Sequence, residues 1–284
     1  MRSICAVWLG CVIGSLAFIA RASSAVAVDQ CLRIQPIQVC SEDGTICANA
    51  NLTLFEAETA KIWKQAGIQI QFLPVQRFLG SNWLDLETGL FSDYSIFTLA
   101  GTPGHGQHPD PTVINLWFVR SFSNGAYGHS QQTLPNLVER NGIGIADNAF
   151  SYNNGLGRID VMAHELGHNL GLDHDTFGPI DRDNLMSGSR LVPSTIADIY
   201  PDGSQVDFLN DLQITQARST SFSVPLPRIS IRRSTDAVVI LWDEPGFTLE
   251  SAGTVTGPWQ AVTHQTNPYI ISPRGPAAFF RLRQ

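Results

Sequence analysis

The sequence predicts a mixed α/β (α+β) domain over residues 28–222, followed by a small β-sandwich-like, all-β module over 223–284. Three observations carry that division. Strand-like and helix-like periodicities alternate up to about residue 217. One run, Val113 to Val119, is apolar enough along its whole length for a strand buried on both faces. Beyond Pro225 and Pro227, which read as a linker, every remaining signal is strand-like. A chain of 284 residues suffices for one ordinary domain and a small companion, and 43% hydrophobic against 15% charged residues excludes disorder, because a core can be built.

Arg2 precedes an apolar run from Ile4 to Ala20 and a small-residue stretch ending Ala25-Val26-Ala27, which reads as a signal peptide over 1–27, cleaved after Ala27. The run is broken by Gly10, Gly14 and Ser15 and is short for a membrane span, so the expected product is secreted and free of the membrane. Loss of Arg2 and Arg21 leaves 16 cations against 25 acids, moving the formal charge from −7 to −9. With no long basic run, the chain lacks the electrostatic footprint of a nucleic-acid binder. Cys5 and Cys11 leave with the leader. Cys31, Cys40 and Cys47 then allow one bridge and one thiol, with all three pairings open; no C-x-x-C spacing supports a zinc knuckle.

In chain order, Leu32 to Val39 reads as a strand, and Asn51 or Thr53 caps a helix running to about Ala66 with Phe55, Ile62, Trp63 and Ala66 on one face. Ile68, Ile70 and Phe72 alternate with Gln69 and Gln71, giving a second strand. The turn formers from Gly101 to Pro111 make a loop. Gly142-Ile143-Gly144-Ile145-Ala146 reads as a further short strand, Ser151 to Gly157 as a polar link, and a helix begins near Arg158. A last helix falls near Asp207 to Ala217.

The helix near Arg158 carries the chemistry. Residues 164 to 175 read His-Glu-Leu-Gly-His-Asn-Leu-Gly-Leu-Asp-His-Asp. On a helix His164 and His168 lie about 40° apart, so both imidazoles reach one ion, with Glu165 on the flank. Gly171 can adopt the left-handed conformation that ends a helix and turns the chain back to deliver His174. Three neutral imidazoles leave a fourth zinc position for water, as a catalytic site requires. Ile159, Met162, Leu166 and Leu170 form an apolar stripe on the opposite face. H-E-x-x-H alone arises by chance in roughly 1% of chains this long, but with Gly171 and His174 the rate falls to roughly 1 in 10⁵, so the site reading outweighs a merely amphipathic helix.

His164 to Asp175 resembles the extended zinc signature of the metzincin metallopeptidases, and Asp175 after the third histidine is most similar to the reprolysin (adamalysin-like) branch. The resemblance implies one catalytic zinc held by His164, His168 and His174, Glu165 as general base, and hydrolysis of protein or peptide substrates. It implies a twisted mixed sheet with the active-site helix packed on it. It makes Met186, in Asn184-Leu185-Met186-Ser187-Gly188, the methionine of a turn beneath the metal, and has Asp175 hydrogen-bond into that turn. The sheet's edge strand pairs with an extended substrate in such enzymes; Gly142, Ile143, Gly144, Ile145 and Ala146 are the candidate here. Two departures stand out: no tyrosine lies two residues after Met186, and no cysteine-switch motif is present.

Weaker candidates complete the reading. His105 and His108 beside Asp110 suit either a structural metal or a solvated loop, and Asp147 with Asn148 either calcium or the end of a strand. Trp259 and Tyr269 suggest an attachment surface on the C-terminal module, against a passive folding cap. The competing functional class is a secreted adhesive or binding protein with a vestigial or structural zinc site; Glu165 argues against it, because a structural site has no use for a general base.

Overall fold

The computed structural model describes residues 27–89, 92–131, 141–178, 180–226, 229–233, 235–242, 248–263, 266–272 and 278–283. The expected leader, apart from Ala27, lies outside them, as does Pro227.

The spine of the molecule is β1 (Gln30–Cys40), along which β2 (Ile68–Phe72) and then β3 (Gln76–Leu79) run in parallel. Between β1 and β2 stands α1 (Glu56–Lys64), entered through a short 3-10 turn, Leu52–Leu54, whose cap Asn51 accepts the Thr53 N–H. The predicted face of Phe55, Ile62, Trp63 and Ala66 is wholly buried. The chain continues through β4 (Asp85–Leu86), α2 (Ile96–Gly101), β5 (Ile114–Val119), β6 (Ser121–Phe122), β7 (Gly128–Ser130) and β8 (Ile143–Ala146). Three helices follow: α3 (Asn148–Gly155), α4 (Val161–Asn169) and α5 (Asp211–Arg218). The main sheet runs β2-β1-β5-β8-β7, parallel except for β7, which is antiparallel to β8 and forms the edge. β4 and β6 pair separately.

Alternation along β5 divides the core. Ile114, Leu116 and Phe118 face the cluster built with α1 and α4, while Trp117 and Val119 face a second cluster containing Ile37, Val39, Ile96, Leu99 and Phe122. The predicted two-sided burial of Val113 to Val119 follows from these two layers. α4 packs on β7, β8 and α1; its stripe of Ile159, Met162, Leu166 and Leu170 is buried.

Two expectations need correction. Gly142 to Ala146 is not an edge: β8 lies between β5 and β7, and Ile143 to Ala146 are all buried. Its glycine serves packing, since a Cβ on Gly144 would sit 2.7 Å from Phe122 Cζ. Pro225 is not linker either. In β9 (Val224–Pro225) it pairs antiparallel with Gln30 of β1, and Leu226 N–H donates to Asp29 O at 2.8 Å, so the first unit reaches residue 226. The polar link at Ser151 falls partly inside α3, whose Tyr152, Asn153 and Asn154 leave helical geometry. Of the three open pairings, the bridge is Cys40–Cys47, with Cys31 a buried thiol.

Beyond residue 226 the described strands are β10 (Ile229–Arg233), β11 (Val238–Trp242), β12 (Thr248–Ala252), β13 (Gln260–Ala261), β14 (Tyr269–Ile271) and β15 (Phe279–Arg283). They form two antiparallel three-stranded sheets, β10-β11-β14 and β13-β12-β15. Trp259 is half-buried with Arg281 stacked over its ring at 4.5 Å. No described helix is long and apolar enough to cross a membrane.

Candidate active site

α4 places His164 and His168 on one face, and the chain then reverses. Gly171 takes φ +82°, the left-handed conformation expected of it, and Leu172 N–H returns to Gly167 O at 2.9 Å. The reversal carries His174 back over the helix. His174 Nε2 lies 3.1 Å from His164 Nε2 and 3.2 Å from His168 Nε2. Among the described residues, these three form the one group of three or more His, Cys, Asp or Glu side chains that converge on a common point.

Backbone carbonyls fix the tautomers. His164 Nδ1 lies 2.8 Å from Leu185 O and His168 Nδ1 2.8 Å from Leu172 O. A carbonyl only accepts, so each Nδ1 carries the proton and each Nε2 presents a bare lone pair to the cluster. Burial holds both imidazoles in the neutral form: His164 is pushed well below its ordinary value and His168 down to about 4. The 3.1–3.2 Å spacing of the three imidazole nitrogens suits a common ion about 2 Å from each. The donor set fits zinc.

The turn from Asn184 to Gly188 packs against α4 and is tied to the loop that carries His174. Met186 is fully buried, and a Cβ on Gly167 would lie 2.5 Å from its Sδ, so the helix and the turn touch through that glycine. Asn184 Oδ1 accepts the Met186 N–H at 2.9 Å. Asp175 N–H donates to Met186 O at 3.1 Å, and its carboxylate accepts the Gly188 N–H at 3.2 Å. The loop that delivers the third histidine is thereby tied to both ends of the methionine turn.

The cleft is lined by Asn124, Ala126, Gly128, His129, Ser130, His164, Glu165, His168, Asp173 and His174 and encloses about 340 Å³. Glu165 is buried beside β7, where a Cβ on Gly128 would lie 2.7 Å from its Cγ. Desolvation raises its carboxyl to about 8; Asp160 adds to the rise, while Arg190 and Arg158 oppose it, and a cation held by the adjacent histidines would oppose it further and favour the carboxylate. The edge strand beside the site is therefore β7. Sequence reading passed over it because three residues, Gly128-His129-Ser130, carry no measurable alternation.

Residues 126–175 match the family model described as Metallo-peptidase family M12B Reprolysin-like. This segment is reprolysin-like. The match spans 50 residues, from the start of the β7 segment through all three histidines to Asp175, and supports a metallopeptidase. That family usually binds zinc, in agreement with the donor set, and the mixed sheet with few helices fits a metzincin-like domain. No curated protein matched the chain.

The secondary candidates resolve into loop structure. His105 Nδ1 contacts Leu99 O at 3.1 Å, His108 Nδ1 accepts the Asp110 N–H, and Asp110 pairs with Arg33 at 2.7 Å, so these side chains do not converge. Asp147 Oδ1 accepts the Asn49 N–H at 2.8 Å just after β8, the strand-ending role.

Proposed function

We propose that the chain is a secreted zinc-dependent endopeptidase of the metzincin type, acting on extended polypeptides. The observation that carries the reading is the convergence of three imidazole nitrogens in the cleft that also holds Glu165 and the edge of β7. Zinc, when bound, polarises the scissile carbonyl and acidifies water. His164, His168 and His174 hold it as neutral ligands. The Glu165 carboxylate accepts the proton of the attacking water and passes it to the leaving amine. The outer side of β7, unpaired among the described residues, offers backbone groups to an extended peptide, taking the role expected of Gly142 to Ala146. Export rests on the leader pattern at 1–27. The structural-zinc alternative has no observation in its favour: among the described residues no fourth protein ligand joins the histidines.

The test is cleavage of a denatured generic protein by the purified chain, with a zinc chelator and after zinc is restored. Cleavage lost to the chelator and regained with zinc is the expected result. Cleavage indifferent to the chelator, or a purified chain that takes up no zinc, would contradict the proposal.

A further inference from the structure

The residues after Gly188 bring a buried cation to the rim of the metal cluster. Arg190 N–H donates to Ser187 O at 3.2 Å, which ties it to the methionine turn, and its side chain is only 12% exposed. Its Nε donates to Asp160 Oδ2 at 2.9 Å. Asp160 is wholly buried, and its other oxygen accepts from Arg158 Nε at 2.9 Å. Arg158 is fully accommodated, since its guanidinium also lies against the rings of Tyr127 and Tyr152 at about 5.5 Å.

Arg190 is not accommodated in that way. Among the described residues, its terminal nitrogens have one partner: Nη1 lies 3.4 Å from His164 Nε2. That nitrogen is one of the three that converge, and in the peptidase reading the metal takes its lone pair. A guanidinium has five donors in a rigid fork, and a buried one left with only Nε bonded needs an oxyanion. The local balance points the same way. Two guanidinia share the one carboxylate of Asp160, while the neighbouring Asp207 is buried with neither oxygen hydrogen-bonded and is pushed toward its neutral form. The chain overall is acidic at −7, so the attraction is confined to this corner.

We infer that Arg190, braced by Asp160, recognises a substrate carboxylate beside the scissile bond and makes acidic peptides the preferred substrates of this site. The inference rests on the peptidase reading above and adds its specificity. A side-chain carboxylate and the free carboxylate of a chain end share this chemistry.

The experiment uses the full zinc-loaded chain and peptide pairs that differ only as Asp against Asn, or Glu against Gln, at each of the two positions on either side of the cleaved bond. A further pair carries a free or an amidated C-terminus. The expected result is a kcat/KM ratio of at least about tenfold in favour of the acid in one of these pairs, the pair identifying the source. Arg190→Gln should collapse that ratio toward unity, and Arg190→Lys should leave part of it. Zinc content and thermal melting establish that each variant is folded. An independent readout is calorimetric binding of the same acidic and amide peptides to Glu165→Gln protein, with and without Arg190→Gln; the acid should bind at least about tenfold tighter only where Arg190 is present. Equal rates for acid and amide in the parent, or a ratio that survives Arg190→Gln, would overturn the inference while leaving the peptidase reading intact. If the parent binds no zinc and cleaves nothing, the peptidase reading fails by itself, and the binding measurement still decides the role of Arg190: acid and amide bound alike would overturn it.

Discussion

The two walls of the cleft are held by different kinds of contact. The helical wall is local: His164, Glu165 and His168 lie within one α4 turn, and His174 arrives six residues later through a reversal at Gly171. The sheet wall is assembled from distant parts of the chain. β7 is three residues long, reaches the site only through its pairing with β8, and sits against Glu165 because Gly128 lacks a Cβ. A local wall fails by losing a ligand, whereas a non-local wall fails by small displacements of the side chain it supports.

The largest expected effect breaks the helical wall. His168→Ala removes one of the three proposed ligands, and zinc affinity should fall by more than about 100-fold, beyond what loss of a mere supporting hydrogen bond costs. Metal titration checks this, and a variant that keeps one tightly bound zinc per chain would count against the ligand assignment. Met186→Ala tests the floor: a fully buried side chain is cut away beneath Gly167, and stability should drop by about 2–5 kcal/mol in denaturant unfolding. Met186→Leu keeps the volume and should cost less than about 1.5 kcal/mol.

The sheet wall is sharpened by Gly128→Ala. The added methyl would lie 2.7 Å from Glu165 Cγ and must push that carboxylate aside, so turnover should fall by about tenfold or more with zinc content unchanged. Unchanged turnover would show that Glu165 does not depend on β7 for its position.

A smaller effect concerns the charges behind both walls. Burial raises the Asp207 carboxyl well above its ordinary value; Asp160 adds to the rise, and Arg190 and Arg158 oppose it. A raised acid keeps its proton in the fold at pH values where the unfolded chain has released it, so stability falls as pH climbs from the ordinary carboxylate range toward the folded value. Asp207→Asn removes that fall. It should stabilise the chain by about 1–3 kcal/mol at neutral pH and by little in acid; Asn also tolerates the φ of +58° found there. Melting curves at both pH values check the sign, and a pH-independent difference would refute the cause. The smallest effect is expected from ending the chain after Leu226, where small-peptide cleavage should stay within about twofold of the parent. Ending it after Phe222 also removes the β9 pairing with β1 and should lower the melting temperature further.

The same contrast explains what could be read in advance. The convergence of His164, His168 and His174, the reversal at Gly171, the buried stripe of α4 and the fully buried β5 are legible because each is a pattern within a dozen residues. Strand order is not such a pattern. Gly142 to Ala146 has the composition of a strand, but nothing within it shows that β7 pairs on its outer side. Pro225 reads as linker in the sequence because proline marks chain breaks as well as edge strands. Arg190 carries no local signal for the same reason: 26 residues separate it from His164, and only the fold brings its guanidinium to that imidazole. The family match beginning at residue 126 brackets β7 together with the histidines, the segment in which the two walls meet.

The central claim is that Glu165 is the base of a zinc-dependent hydrolysis. Glu165→Gln preserves shape and leaves all three imidazoles in place, so metal content and peptide turnover measured on one preparation separate binding from chemistry. The account predicts one zinc per chain, as in the parent, with turnover lower by about 10²–10⁴-fold. Turnover equal to the parent's at full zinc occupancy would contradict it.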